Sequence, residues 1–238
     1  MKDFNYEDIE AGYYHKTMLN GGNIQRFWHR KKFEEISKFI PHKTVKVLDL
    51  GCGPGSFFYV LREKNKKAIL YGIDVSKKQI DFASKLVKSA SFFASDAINI
   101  PFKDDTFDYV TLIEVIEHLN KNIERNIFNE IKRVLKKNGK IIITTPNYQS
   151  LWPIIELFWN KISPLNYEEQ HINKKTVNIL KNDLIKAGFK VNETRSLFLF
   201  SPFISLFSNK FAHYFMIFEK KIINYWGYII LIEAKVSK

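Results

Sequence analysis

The chain has 238 residues, 45% of them apolar and 26% charged, which suits one packed core with a small appendage in a soluble protein. Its single cysteine, Cys52, excludes an internal disulfide and fits a reducing compartment. A net charge of +12 raises nucleic acid or an anionic membrane as partners, but the lysines are spread along the chain on the polar sides of expected helices. A solvated basic surface is therefore expected, and nucleic acid is disfavoured.

The N-terminal stretch carries Asp3, Glu7, Asp8 and Glu10 without an apolar core, so no secretory signal is expected. No run approaches the roughly 18 apolar residues of a spanning helix, and the expected location is cytoplasmic. Residues 1 to 23, with Gly12, Gly21 and Gly22, lack strong periodicity and read as a mobile arm that folds over a ligand. From Ile24 to Ile40 the apolar residues Ile24, Phe27, Trp28, Phe33, Ile36, Phe39 and Ile40 share one helical face, and Pro41 stops the helix. Its other face carries Arg26, His29, Arg30, Lys31 and Lys32.

The rest of the chain is organised around the stretch VKVLDLGCGPGS, Val45 to Ser56. A strand ends at Asp49, glycines stand at Gly51, Gly53 and Gly55, and helical spacing resumes at Phe57, Phe58, Val60 and Leu61. Such glycines let a backbone take positive φ or approach a flat ligand closely. The third glycine comes one residue too early for the dinucleotide fingerprint, and Asp49 would repel a pyrophosphate. Cys52 sits inside the turn as a small side chain with no chemistry of its own.

Asp49, Gly51, Gly53 and Gly55 match the first motif, E/D-x-G-x-G-x-G, of class I S-adenosylmethionine-dependent methyltransferases, which this chain resembles. The next strand, Ala68 to Ile73, leads into Asp74, placed to accept both hydroxyls of a ribose. Ser76 reads as the N-cap of a helix to Lys88. The strand Ser91 to Ser95 ends at Asp96, which the resemblance assigns to the adenine amino group. Three successive strands ending in acids jointly favour a bound nucleoside. The resemblance places Val75, Ala97, Ile113 and Glu114 in the same cofactor site, with the backbone of Cys52. Asn23-Ile24-Gln25-Arg26 resembles a stretch of the quinone-biosynthesis O-methyltransferases, where an arginine serves the cofactor carboxylate and the second residue is proline; Arg26 takes that role here by resemblance.

Phe107 to Ile113 forms the fourth strand, within a D-x-x-F-D-x-V motif that precedes E-x-x-E-H. A helix from Lys121 to Lys137 is expected to end at an Asn138-Gly139 C-cap, before the strand Lys140 to Thr145. Strands alternating with helices imply a doubly wound α/β fold, a Rossmann-like, mostly parallel sheet. By resemblance the sheet has seven strands, with Phe189 to Phe200 and Trp226 to Ala234 as an antiparallel last pair, plus a helical cap. The expected organisation is a cofactor-covering arm and helix over residues 1–40, a cofactor-binding core over 41–147, and an acceptor-pocket cap with the last two strands over 148–238.

If the chain turns into a helix at Glu114, then Glu117 and His118 stand at i+3 and i+4 and all three side chains point one way. His118 is then a candidate general base. Two carboxylates and an imidazole also suit a divalent cation, magnesium, manganese or iron. The small-RNA 2′-O-methyltransferases share the pattern E-x-x-E-H, T-P-N-Y and a distant histidine, here Thr145-Pro146-Asn147-Tyr148 and His171. By that resemblance His171 is a further metal ligand or catalytic residue.

The apolar run Tyr148 to Ile162 is expected to cover the site mouth, ahead of the segment Asn166 to Ile172 and a helix Lys174 to Ala187. Pro202 to Asn224, rich in Phe, Ile and Tyr with Lys210, Lys220 and Lys221, is expected to wall the acceptor pocket, with a place in a membrane interface as the alternative. The expected activity is O-methylation of a small, quinone-like, lipid or glycan acceptor. RNA methylation and a non-catalytic methyltransferase-like subunit are the other readings. Nothing in the sequence sets an oligomeric state.

Overall fold

Val47, Leu48 and Leu50, Val110 and Leu112, and Ile141, Ile142 and Ile143 are all fully buried, because the strands that carry them are covered on both faces. The computed structural model of the protein describes residues 9–162 and 171–237. Its strands are β1 (Lys46–Leu50), β2 (Ile69–Asp74), β3 (Ala90–Ala94), β4 (Phe107–Ile113), β5 (Leu135–Pro146), β6 (Phe189–Leu197) and β7 (Ile229–Val236). They form one seven-stranded sheet in the order β3-β2-β1-β4-β5-β7-β6. The first five run parallel, and β7 lies antiparallel between β5 and β6. The order reverses at β1, between β2 and β4, which opens a crevice at the strand ends there.

Helices cover both faces. On one side α5 (Lys121–Val134) and α7 (Val177–Lys186) pack Ile127, Phe128, Ile131, Leu180 and Leu184 against Leu48, Leu50, Val110 and Leu112. On the other, α2 (Asn23–Ser37), α3 (Ser56–Lys64) and α9 (Asn209–Glu219) bring Ile36, Phe57, Leu61, Ala212 and Met216 onto Val47, Leu70 and Ile142. Each such buried aliphatic or aromatic side chain contributes about 1.5–3 kcal/mol. The remaining helices are α1 (Tyr13–Asn20), α4 (Lys77–Leu86), α6 (Trp152–Ile162) and the short α8 (Ser201–Ile204). Ser76 caps α4 as expected, accepting from the Gln79 amide at 3.3 Å.

Several expectations are corrected. Part of the arm is helical: Gln79 of α4 accepts from the Gly12 amide at 3.0 Å and donates to the Glu10 carbonyl at 3.1 Å, and α1 starts there. Only His15 and Met18 of α1 are buried, too few to leave a periodic signature. Asn138-Gly139 does not cap α5, which ends at Val134 with Leu135 already extended. Asn138, at φ 69°, instead turns a bulge inside β5, between the pairs Phe107 with Leu135 and Tyr109 with Lys140. The expected helix at Lys174 begins only at Val177, capped by Thr176. Pro202 to Asn224 splits into α8 and α9. The side chains of Phe158 and Trp159, residues 1–8 and residues 166–170 lie outside the described residues.

The chain that returns toward the strand ends is fastened by polar contacts. Lys175 is fully buried, and its ammonium donates to both Glu124 oxygens at 2.9 and 2.8 Å and to Asp183 at 2.5 Å. Asn173 donates its amide to the Glu117 carbonyl at 2.9 Å and its side chain to the Ile116 carbonyl at 3.2 Å. The segment carrying His171 is thereby tied to the tip of β4. Lys175→Ala takes the buried ammonium from Glu124 and Asp183 but leaves Lys121 beside both and Asn173 on Glu124, and is expected to cost about 1–3 kcal/mol, read from denaturant unfolding. A loss below about 1 kcal/mol would show that solvent reaches these carboxylates.

Candidate functional site

The turn after β1 is stitched to the end of β2. The amides of Gly51 and Cys52 donate to the Ile73 carbonyl at 2.8 and 3.0 Å, and the Gly53 amide donates to Asp74 Oδ2 at 2.8 Å. The Ser76 amide donates to Asp74 Oδ1 at 2.9 Å. Gly51 takes φ 70°, where a Cβ would meet Val115 at 2.4 Å. Gly53, at φ 48°, would point a Cβ into open space, so the turn keeps its surface bare on the crevice side.

That surface belongs to a cavity of about 480 Å³. Asp49, Gly51, Cys52, Gly53, Asp74, Val75, Asp96, Ala97, Ile113 and Glu114 all line it, together with Glu117, His118 and His171. Gly55 does not: it caps α3 and lies 3.1 Å from Ala83 and 3.2 Å from Phe92 in ideal Cβ geometry, a packing position. Asp49 is 2% exposed and accepts from Thr111 at 2.5 Å. Burial, then the nearby Asp74 charge, raises its carboxyl to about 7. Burial, with Asp49 and Asp74 adding to it, pushes the Cys52 thiol well up, consistent with an inert side chain.

Arg26 is displaced from its expected role. It is exposed on α2, donates to Asn23, and is not part of the cavity wall. The wall takes Ile24, Trp28 and Lys32, at i, i+4 and i+8, with Gln25, His29 and Phe33 beside them, and Arg26 points away from that face. The cation there is Lys32, buried and paired with Glu114. Burial and the Lys32 charge push His29 down to about 3, so it is neutral. Glu114 Oε1 is buried without a hydrogen-bond partner among the described residues, an acceptor facing a ligand site.

Glu114 also leaves the grouping drawn from helical spacing. It takes φ 53° at the end of β4, a short 3₁₀ turn comes next over Ile116–His118, and its carboxylate goes to Lys32. The cluster that does form is Glu117, His118 and His171, whose ligating atoms all lie within 4.8 Å of one another. Glu117 is 1% exposed and accepts from Thr145 at 2.9 Å; burial raises it to about 7 despite the His171 charge. His171 Nδ1 meets Glu156 of α6 and lies 3.0 Å from the Tyr148 hydroxyl, which donates to Glu156 at 2.9 Å. Burial opposes ionisation of Glu156, but its bonds from His171 and Tyr148 hold it below the usual range. The site roles of Glu156 and Asn173 were not legible in the sequence; Tyr148 had a signal in the T-P-N-Y motif, and Lys32 in the basic face of its helix, from which a cation for the cofactor carboxylate is expected.

Asp49 yields a stability test. Its folded carboxyl is raised above its ordinary value, so its contribution is intact below about pH 4 and is lost as pH rises through about 7. Ligand-free Asp49→Asn should melt roughly 5 °C or more above the parent at about pH 8 and close to it at about pH 4.5. An equal offset at both pH values contradicts the burial argument.

A family profile described as a methyltransferase domain matches residues 41–195, more than half of the chain. The chain is 31% identical to an uncharacterised protein of Methanocaldococcus jannaschii, an alignment covering 100% of this chain and 92% of that protein. A demethylmenaquinone methyltransferase of Thermotoga maritima is 34% identical over 116 residues, 49% of this chain, and the chain covers 48% of that enzyme. A solved S-adenosylmethionine-dependent methyltransferase of Aquifex aeolicus shares the fold at a TM-score of 0.59 and 19% identity, over 86% of this chain and 89% of that one. A profile of that extent, lying over a sheet of this order, settles the family: the chain belongs to the class I S-adenosylmethionine-dependent methyltransferases.

Proposed function

We propose that the protein moves the methyl group of S-adenosylmethionine to an oxygen of a small, mostly apolar acceptor, of quinone-like, lipid or glycan-intermediate type. The observation that carries this reading is the make-up of one cavity. The same cavity is lined by Asp49, Asp74 and Asp96 around a bare glycine turn and by Trp28, Trp152, Ile155 and Phe203 with the Glu117, His118 and His171 cluster. A matching relative named for demethylmenaquinone, itself a quinone, supports an acceptor of that class.

Bound S-adenosylmethionine supplies a methyl carbon on a sulfonium, open to in-line displacement. Each Asp74 oxygen accepts one backbone amide, and these bonds fix the carboxylate at the cavity wall, where its two oxygens suit a ribose diol. Asp96, exposed at the cavity wall, is placed for the adenine amino group. Lys32 takes the role expected of Arg26 toward the cofactor carboxylate, and Glu114 Oε1, without a hydrogen-bond partner among the described residues, accepts from the cofactor's ammonium. His118 holds the acceptor hydroxyl and takes its proton. Glu117 and His171 orient that imidazole and the bound oxygen.

A second reading rests on the same cluster. Its donor atoms fit a divalent cation, and the Glu156 contact on His171 Nδ1 is the kind of outer carboxylate that orients a ligating imidazole. Such an ion would lower the pKa of a hydroxyl it grips. With Glu114 paired to Lys32, the set is two imidazoles and one carboxylate, which favours manganese or iron over magnesium.

Asp74→Ala is expected to weaken S-adenosylmethionine binding by about 30-fold or more in calorimetry, and an unchanged affinity contradicts the ribose assignment. His118→Ala should lower kcat by about a hundredfold or more while cofactor affinity stays within about threefold. Loss of turnover on chelation, restored by manganese or iron, selects the cation reading; chelator-resistant turnover that still needs His118 selects the base.

A further inference from the structure

Helix α9 presents apolar residues both to the core and to the outside. Ala212 and Met216 are buried against the sheet, yet Phe211, Tyr214 and Phe218, at i, i+3 and i+7, are 60, 59 and 55% exposed on the opposite face. Phe207, before the helix, is 92% exposed, and Trp226, after it, is 58% exposed. An ordinary solvated helix puts its polar residues there. Exposed aromatic residues grouped in this way along and beside one helix face mark a contact site.

The charge around the patch indicates the contact. Between Phe198 and Tyr228 the only acidic residue is Glu219, which is buried and bonded to Ser201 and to the Phe200 amide. Lys210 and Lys221 are exposed in the same stretch, in a chain of net charge +12. Aromatic rings flanked by lysine ammonium groups match the boundary of a bilayer carrying anionic headgroups, where rings enter the acyl edge and lysines meet phosphate. No helix among the described residues is long and apolar enough to cross a membrane, so the contact is peripheral. The patch also continues into the cavity, because Pro202 and Phe203 of α8 line it and Phe203 is itself 41% exposed.

We propose that the aromatic face of α8 and α9 docks the protein on an anionic phospholipid surface, with the Phe203 side of the cavity toward the lipid. This surface can be tested without knowing the acceptor, so its failure is distinguishable from failure of the methyl-transfer reading. Co-sedimentation with vesicles of phosphatidylcholine plus phosphatidylglycerol is compared with phosphatidylcholine alone, at low and high salt, with Trp emission recorded. Binding to the mixed vesicles with a blue shift, weakened about tenfold by salt or by omitting the anionic lipid, is expected. Phe207→Glu with Phe211→Glu should abolish it while leaving S-adenosylmethionine affinity unchanged, since neither residue lines the cavity. Should that variant misfold, Lys210→Glu with Lys221→Glu should lower anionic-vesicle binding by about tenfold. No binding to mixed vesicles, binding untouched by both variants, or a lipid-free dimer that the phenylalanine variant dissociates would each overturn the proposal, the last by assigning the face to a second copy.

Discussion

The donation of three successive turn amides into the end of β2 is the contact on which the site depends. Gly51 and Cys52 give theirs to Ile73, and Gly53 gives its own to Asp74. These bonds hold a bare loop across the point where the strand order reverses, and they fix the Asp74 carboxylate at the cavity wall. A side chain at Gly51 would strike Val115, at the end of β4, so the turn and the β4 tip determine each other's position. These two parts of the cavity wall are coupled through that contact.

Electrostatically the cavity is prepared at a cost to the folded chain. Asp49 and Glu117 are both buried beyond what their local bonds offset, and both are raised to about 7. Glu114 keeps one oxygen without a partner among the described residues, beside the buried Lys32. A ligand that brings a cation or a hydrogen-bond donor to such groups offsets part of their desolvation. The fold tolerates this because neighbouring polar nodes are well satisfied. Lys175, Glu124, Asp183 and Asn173 close a buried network directly behind the cluster.

The last third of the chain supplies the parts that differ from a bare nucleoside-binding sheet. β7 inserts antiparallel beside β5, and the Asn147 side chain donates to the Tyr225 and Gly227 carbonyls at 2.7 and 2.8 Å as the two strands part. Trp28 connects this region to α2, with its ring 5.7 Å from Trp152, 4.9 Å from Phe198 and 6.2 Å from Tyr228. The aromatic wall of the cavity, Trp28, Trp152 and Phe203, is therefore drawn from three distant stretches of sequence.

Local chemistry made much of this legible in the sequence. Glycine spacing, an acid at each strand end and the alternation of strands with helices depend on neighbouring residues, and Asp49, Asp74 and Asp96 do line one cavity with the glycine turn. The strand Phe107–Ile113 and the Ser76 cap were readable for the same reason. Only the tertiary structure decided which cation of α2 faces inward, because rotating Lys32 rather than Arg26 toward Glu114 depends on how that helix packs on the sheet. It also separated Glu114 from Glu117 and His118 by one left-handed residue, and it joined His171 to Glu156 across the chain. Spacing along a chain determines which residues share a helix or a strand end; which charges meet across elements is set by packing, where burial and pairing energies are summed over the whole fold.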